Sequence, residues 1–188
     1  MSPKILPDDV AGDKEYRRVC REYELKSKNS VELLQAYLDK YPDSRYTDRV
    51  RSLIASVYFE EGKYKEAIAM FRACDLEALP DAERDDCAMR LATSYLKEGN
   101  LRDASVWFLL LKEVSPRYQS DATYNLAYID YVEKRYNKAL DAFLSLKDDA
   151  VYSSLVPYYI GEIYLLQGNY EQARSVAERY LKVYSGHK

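Results

Sequence analysis

The sequence has 188 residues, of which 47% are hydrophobic and 31% charged, and its formal net charge is −3. This balance is typical of a globular protein with a sizeable core and excludes a disordered chain. Basic and acidic residues are interspersed, so no basic stripe predicts nucleic-acid binding. No apolar run reaches the roughly 18 residues that predict insertion into a membrane.

The N-terminal region is predicted to begin irregularly and then to become helical. Residues 1–12 contain two prolines and a glycine, and we expect an irregular lead-in there. Residues 13–42 are predicted to form a helix pair with a weakened apolar pattern, in which Ser30, Leu34 and Tyr37 face the core. Its first helix carries Arg17, Arg18 and Arg21, which indicates a terminal pair with a polar outer face.

Four near-copies of one helix-pair pattern follow this region. Each copy contains a small anchor residue in its first helix, and the steps between successive anchors are 37, 35 and 34 residues. The anchors are Ala55, Ala92, Ala127 and Gly161. The predicted repeats span about 46–77, 81–115, 119–148 and 152–184, and residues 185–188 form a tail.

The pattern has a packing logic. Small residues at the anchors, and an alanine in each second helix, predict that the two helices of a pair approach closely. These alanines are Ala67, Ala104, Ala139 and Ala173. Aromatic residues are predicted to fill the wider gaps of the core: Tyr58, Tyr64, Phe71, Tyr95, Phe108, Tyr136, Phe143, Tyr164 and Tyr170.

Glycine is expected to end the first helix of a pair. Gly62 and Gly99 stand where a left-handed backbone allows the chain to turn into the second helix. Lys134 and Arg135 replace the glycine in the third repeat. We therefore expect that turn to be slightly strained or differently shaped.

The recurring pattern resembles the tetratricopeptide repeat, whose period is 34 residues. The resemblance covers residues 30–184 and implies an all-α, right-handed superhelical solenoid of antiparallel helix pairs. It also implies a scaffold that binds a protein or peptide partner on its concave surface. The chaperone-type clamp for a C-terminal carboxylate is not expected, because its basic and amide positions hold Ser52, Ser56 and Met89, among others.

Two segments resemble parts of large multi-repeat envelope proteins of Bacteroidetes. They are residues 41–46, YPDSRY, and residues 156–164, VPYYIGEIY. The first is also similar to a linker in periplasmic repeat proteins that work beside the Tol-Pal and outer-membrane-assembly systems. This resemblance implies a periplasmic or cell-envelope location.

The twenty tyrosines of the chain exceed what the repeat pattern requires. Counting from the anchors, the positions that the resemblance places on the concave surface become aromatic in the C-terminal half. A partner-binding groove is predicted from Arg49, Phe59, Met89, Arg90, Tyr124, Tyr128, Tyr131, Tyr158, Glu162 and Leu165. The alternative is that these rings pack against the protein itself.

The sequence lacks the parts of an enzyme. The single histidine, His187, is the second-to-last residue of the sequence, where we expect a general base to be neither oriented nor desolvated. No glycine-rich phosphate loop, paired-cysteine motif or nucleophile triad is present. We therefore expect no catalytic residues, no bound metal and no cofactor.

The last predicted helix carries apolar residues with no capping helix after them. They are Val176, Ala177, Tyr180, Leu181 and Tyr184. Such a face favours either a homodimer or a structural segment of a larger envelope protein whose groove is filled by its own chain.

Overall fold

The computed structural model describes residues 7–185, and side chains from 12 to 182. Ten α-helices and two short 3₁₀ helices form this part of the chain, which contains no strand. The α-helices are α1 (Pro7–Glu24), α2 (Ser30–Lys40), α3 (Thr47–Glu60), α4 (Tyr64–Arg72), α5 (Asp81–Lys97), α6 (Leu101–Val114), α7 (Gln119–Val132), α8 (Tyr136–Ser145), α9 (Val156–Leu166) and α10 (Tyr170–Ser185). The 3₁₀ helices are Leu76–Ala78 and Pro116–Tyr118.

The first helix begins earlier than expected. It starts at Pro7, so residues 7–12 are helical rather than irregular, whereas residues 1–6 lie outside the described part. Proline suits the first position of a helix because its fixed φ is already helical. The three arginines of α1 are exposed, and Ser30, Leu34 and Tyr37 of α2 are buried.

The chain forms two compact units, divided between residues 100 and 101, within the second predicted repeat. Unit 1 contains α1 to α5. Its core joins α1, α2 and α3 through Val19, Leu34, Tyr37, Val50 and Ile54. Ala55 and Ala67 are fully buried, and α3 packs against α4, as expected for small residues between two close helices.

Unit 2 contains α6 to α10. Its core includes Ala127 and Ala139 between α7 and α8, together with Phe143, Val156, Ile160 and Ile163. Phenylalanines 71, 108 and 143 are all buried at the predicted aromatic positions. Tyr170 is not a core residue, because its ring lies in the first turn of α10 with 69% of its surface exposed. His187 lies outside the described residues.

The turns within helix pairs share one backbone conformation. Gly62, Gly99 and Gly168 have φ values of 72°, 76° and 74°, and Lys134 has φ of 61°. The residue after each left-handed position closes the same turn: Lys63 N–H donates to Tyr58 O at 2.8 Å, and Arg135 N–H donates to Asp130 O at 2.7 Å. The Lys134 turn is therefore not differently shaped; it places a residue with a Cβ in the left-handed region.

Candidate functional site

The ten residues predicted to line one groove fall into two groups, one in each unit. Arg49 and Phe59 lie on α3, and Met89 and Arg90 lie on α5, all in unit 1. The other six lie on α7 and α9 in unit 2: Tyr124, Tyr128, Tyr131, Tyr158, Glu162 and Leu165. Each group is a separate candidate surface.

The two arginines of unit 1 already have acidic partners. Arg49 forms a 2.5 Å ion pair with Glu83, which links α3 to α5. The Arg90 guanidinium lies 5.7 Å from the centre of the Phe59 ring and 3.6 Å from Glu60. These groups therefore tie neighbouring helices of unit 1 together, although each partly exposed pair contributes only a few tenths of a kcal/mol to about 1 kcal/mol.

Tyr159 is the centre of an aromatic group in unit 2. Its ring contacts Tyr131 at 5.3 Å and Tyr128 at 6.1 Å, measured between ring centres, with the planes near perpendicular. It stacks on Phe143 at 4.8 Å and meets the edge of Tyr158 at 5.2 Å. We define the tyrosine cluster as Tyr124, Tyr128, Tyr131, Tyr152, Tyr158 and Tyr159.

The tyrosine cluster is buried on one side and exposed on the other. Tyr124 stacks on Tyr152 at 4.5 Å, and it is half-buried against the core of unit 2, as are Tyr128 and Tyr131. By contrast, 67% of the surface of Tyr158 is exposed, and Leu165 on the same helix is 54% exposed. The rings at positions 124, 128 and 131 thus belong mostly to the protein's own packing, and the outward surface is formed around Tyr158.

Two residues of this cluster, Tyr152 and Tyr159, were not among the predicted site residues. Tyr159 lies two residues before its anchor, and the residue in the same place in unit 1 is Arg90, which lies against Phe59. Phe59 and Tyr131 both follow their anchors by four residues. The contact of Tyr159 with Tyr131 thus repeats that of Arg90 with Phe59, and comparing the repeats in this way would have indicated Tyr159.

The two helices that carry most of the tyrosine cluster, α7 and α9, have acidic side chains as their only charged residues. Neither α7 nor α9 contains lysine or arginine, and their acidic residues are Asp121, Asp130 and Glu162. Asp130 is 4% exposed and pairs with Arg135 at 2.6 Å and with Lys138 at 3.3 Å. The remaining two carboxylates have no basic partner from their own helices.

Those two carboxylates differ in how they are satisfied. Asp121 Oδ1 accepts a 2.5 Å hydrogen bond from the Tyr152 hydroxyl. Glu162 Oε2 is buried, yet it accepts no hydrogen bond from any residue in the described part of the chain. A buried carboxylate oxygen without a donor is costly, and buried polar groups in proteins nearly always have partners.

The Glu162 carboxylate raises the pKa values of neighbouring tyrosine hydroxyls. Burial, followed by a hydrogen-bonding interaction with Glu162, raises the pKa of Tyr131 to about 12. The charge of Glu162 is the main reason that the pKa of Tyr158 is raised. Burial and an interaction with Tyr124 raise the pKa of Tyr159 to about 12. All three hydroxyls are therefore protonated at neutral pH and remain hydrogen-bond donors.

A cleft of about 510 Å³ lies elsewhere in unit 2, among α8, α9 and α10. Val176 and Tyr180, predicted to lie on an uncapped outer face, line this cleft and are half-buried. Ala177 and Leu181 of the same prediction are exposed, and the Tyr184 side chain lies outside the described part. The apolar surface of α10 is thus divided between the cleft and solvent.

Neither a metal site nor a membrane-spanning helix is present within the described residues. They contain no group of three histidine, cysteine, aspartate or glutamate side chains placed to hold a metal ion. No helix among them is both long enough and apolar enough to cross a bilayer.

Two segments of the chain match models of the tetratricopeptide repeat, residues 49–76 and residues 158–187. The first lies within the first predicted repeat, and the second covers most of the last repeat and extends into the predicted tail. No curated protein matches the sequence.

Solved structures of repeat proteins share the fold. The structure of MamA is 15% identical over 94% of this chain and 95% of its own, with a TM-score of 0.69. YrrB, described as a TPR protein with an unusual peptide-binding site, is 18% identical over 88% of this chain and 82% of its own, with a TM-score of 0.71. The pilF structure of Pseudomonas aeruginosa is 16% identical over 93% and 77%, with a TM-score of 0.61.

These matches confirm the predicted fold class: the chain contains tetratricopeptide repeats and has the all-α solenoid fold of such proteins. Repeats of this kind commonly mediate protein–protein interaction, and proteins built from them are generally non-catalytic scaffolds. The resemblance to envelope proteins of Bacteroidetes stays a prediction.

Proposed function

We propose that this protein is a non-catalytic binding module that holds a peptide or helical segment of a partner protein. Its working surface is the exposed side of the tyrosine cluster on α7 and α9. The observation that carries the proposal is the large exposed fraction of Tyr158 and Leu165 on one helix, beside the half-buried rings of the tyrosine cluster. The peptide-binding site attributed to YrrB, which has the same fold, supports a peptide as the class of partner.

Tyrosine is suited to this role. Its ring supplies a large contact area with few rotatable bonds, and its hydroxyl can bond to a partner's backbone. Tyr159 is packed among the half-buried rings of the cluster, and the exposed Tyr158 ring contacts it. Unit 1 is the weaker candidate, because Arg49 and Arg90 are engaged by acids of their own unit.

The proposal is tested by selecting binders to the full chain from a displayed library of random 12-residue peptides. Dissociation constants of the selected peptides are then compared for the parent protein, Tyr158→Ser and Tyr170→Ser. The control is matched, because Tyr158 and Tyr170 are 67% and 69% exposed but lie on different helices. We expect Tyr158→Ser to weaken binding roughly tenfold, as for an interface hot spot, and Tyr170→Ser to leave it unchanged.

Failure to select any binder would contradict the proposal. So would a set of binders whose affinities respond equally to the two tyrosine substitutions. Both variants must retain the helical circular dichroism of the parent, which their exposure leads us to expect.

A second candidate function is self-association through α10. Leu181 is 65% exposed on this helix, and Ala177 lies one turn earlier on the same face. Light scattering over a dilution series tests it, with Leu181→Ser compared against Leu166→Ser on α9, where the leucine is 56% exposed. A monomer at every concentration, or equal behaviour of the two variants, would exclude the α10 dimer.

We also propose a cell-envelope location, which rests on the resemblance of residues 41–46 and 156–164 alone. Fractionation of cells of the source organism, followed by detection with an antibody, tests it. Recovery of the protein only in the cytosolic fraction would contradict this location.

A further inference from the structure

One face of α6 is both apolar and exposed. Its large side chains there are between 42% and 61% exposed: Val106, Leu109, Leu110 and Val114. The opposite face of the same helix carries Ala104, Phe108 and Leu111, which are buried in the core. A helix that is apolar on both sides is normally buried on both, so the exposed face of α6 calls for a partner.

The second helices of the other repeats do not carry this apolar face. Val106 and Leu110 stand two and six residues after the buried alanine of α6, Ala104. The same positions in the other repeats hold only small or polar residues: Ala69 and Ala73, Asp141 and Ser145, and Ser175 and Arg179. The repeat pattern therefore does not require large aliphatic side chains at these places.

The ends of the exposed face carry opposite charges. Arg102, Val106, Leu109 and Glu113 follow one another at steps of four, three and four residues. This spacing aligns them in one row along a helix, as in the seam of a coiled coil. Arg102 and Glu113 are exposed, and neither takes part in an ion pair within the part of the chain that the structure describes. Both charges are therefore available to a partner.

We propose that α6 pairs with α6 of a second copy of this chain, with the two helices antiparallel about a two-fold axis. The steps along the row are symmetric, so each Val106 would lie opposite Leu109 of the other copy. Arg102 would lie opposite Glu113 at both ends of the pair. Parallel helices would instead bring like charges together, and charges beside such a seam set the orientation of the helices. This interface uses a different helix from the peptide-binding surface on α7 and α9.

The size of the face indicates a weak dimer. α6 has 14 residues and is therefore about 21 Å long. We estimate that one pair of such helices buries less than the roughly 1,200 Å² of total surface at which standard stable interfaces begin. We therefore expect a dissociation constant of about 10–100 μM. The two charge pairs of the dimer are exposed, so they determine the direction of pairing more than its strength.

Sedimentation equilibrium of the full chain, from about 1 to 300 μM, tests the interface. Val106→Asp places a charge in the row, and aspartate already stands at the equivalent position of the third repeat, Asp141. Leu181→Asp is the matched control, because Leu181 on α10 is 65% exposed and Val106 is 61% exposed. We expect Val106→Asp to weaken the dimer at least about tenfold, and Leu181→Asp to dimerise like the parent.

An exchange of charges tests the antiparallel direction. Arg102→Glu sets two acidic residues opposite each other at both ends, and we expect it to weaken the dimer about tenfold. The double variant Arg102→Glu, Glu113→Arg should return to within about threefold of the parent, because opposite charges face each other again. Arg102 and Glu113 are eleven residues apart on one helix, or about 16 Å, so this rescue cannot arise within one copy.

A parent protein that stays monomeric at every concentration would overturn the α6 dimer, and something other than a second copy would then cover the face. Unchanged dimerisation of Val106→Asp would overturn it as well, as would loss of the dimer in Leu181→Asp alone. A double variant as weak as Arg102→Glu would overturn the antiparallel pairing. Each variant must keep the helical circular dichroism of the parent, which the exposure of these side chains leads us to expect.

Discussion

The Tyr152 hydroxyl donates a 2.5 Å hydrogen bond to Oδ1 of Asp121 and so joins the segment before α9 to the first turn of α7. Asp149 strengthens the same connection, since it accepts from the Ser120 hydroxyl at 2.6 Å and from the Tyr152 backbone N–H at 3.0 Å. These bonds fix the approach of the chain to α9, on which Tyr158 and Tyr159 are carried.

The Tyr152 to Asp121 bond should be measurable as a coupling energy. A double-mutant cycle of Tyr152→Phe and Asp121→Asn keeps the stacking of the ring on Tyr124 and removes only the bond. We expect a coupling of about 1–2 kcal/mol in the free energy of unfolding, since the acceptor is charged. Urea denaturation measures it, and additive effects of the two substitutions would show that the bond contributes nothing.

Tyr124 and Tyr158 should respond differently to substitution by serine. The Tyr124 ring stacks on Tyr152 and meets Phe143 edge-on at 6.0 Å, so its loss removes packing from the core of unit 2. We expect Tyr124→Ser to lower the free energy of unfolding by about 2–3 kcal/mol. Tyr158→Ser should change it by less than about 0.5 kcal/mol because the side chain is mostly exposed. Equal urea midpoints for the two variants would contradict this division of the cluster.

The periodic part of the fold could be predicted from the sequence, because it depends on spacing. Phe71, Phe108 and Phe143 recur at matched positions and are all buried. Spacing also predicted that residues of α3, α5, α7 and α9 lie on one face, and this stays a prediction. It did not predict what each residue touches, because the contact of Tyr159 with Tyr131 joins helices that are distant in sequence.

The same limit explains the two arginines. The sequence presented Arg49 and Arg90 as charges available to a partner, but Glu83 and Glu60 lie beside them in the structure. Glu83 follows Arg49 by nearly one repeat, so its proximity depends on the register between helix pairs. The structure therefore shows that the charges of Arg49 and Arg90 are already paired, so these residues do not indicate an acidic partner.

Gly161 should tolerate a side chain, contrary to its predicted role as a residue that allows close approach. A Cβ at this position would meet no atom nearer than Val176 Cγ1 at 4.0 Å, which is ordinary contact. Glycine within a helix is about 1 kcal/mol less favourable than alanine. Gly161→Ala should therefore stabilise unit 2 by about 0.5–1 kcal/mol. A loss of stability in thermal and urea denaturation would restore the close-approach interpretation.

Replacing Lys134 by glycine should stabilise the protein, and replacing Gly99 by alanine should not. Both residues have positive φ, and a Cβ in the left-handed region costs roughly 1–2 kcal/mol. The net gain from glycine is smaller than this cost, because glycine loses about 0.5–1 kcal/mol more conformational freedom on folding. We expect Lys134→Gly to stabilise by up to about 1 kcal/mol and Gly99→Ala to destabilise by about 1 kcal/mol. Urea denaturation of both variants measures these changes. If Lys134→Gly destabilises the protein and Gly99→Ala stabilises it, the left-handed backbone is not strained by a Cβ.

Stability should fall in alkaline solution, partly because of the tyrosine cluster. The folded-state pKa values of Tyr131 and Tyr159 are raised to about 12, chiefly by burial. An unfolded tyrosine has a pKa near 10. Below pH of about 10 both states hold the proton, and the contribution of these groups to stability is complete. Between about 10 and 12 the unfolded state loses its protons first, so the free energy of unfolding falls as pH rises.

Tyr159→Phe separates this effect from the other groups that titrate at high pH. Burial also raises the pKa of Cys87 to about 11 and that of Cys74 to about 12, so the decline should begin near the ordinary thiol value. Phenylalanine keeps the stacking of the ring on Phe143 and has no proton to release. Urea midpoints measured from pH 8 to 11 should therefore decline less steeply in Tyr159→Phe than in the parent. Parallel curves would mean that the Tyr159 hydroxyl titrates alike in the folded and unfolded states, and that burial in the cluster does not protect its proton.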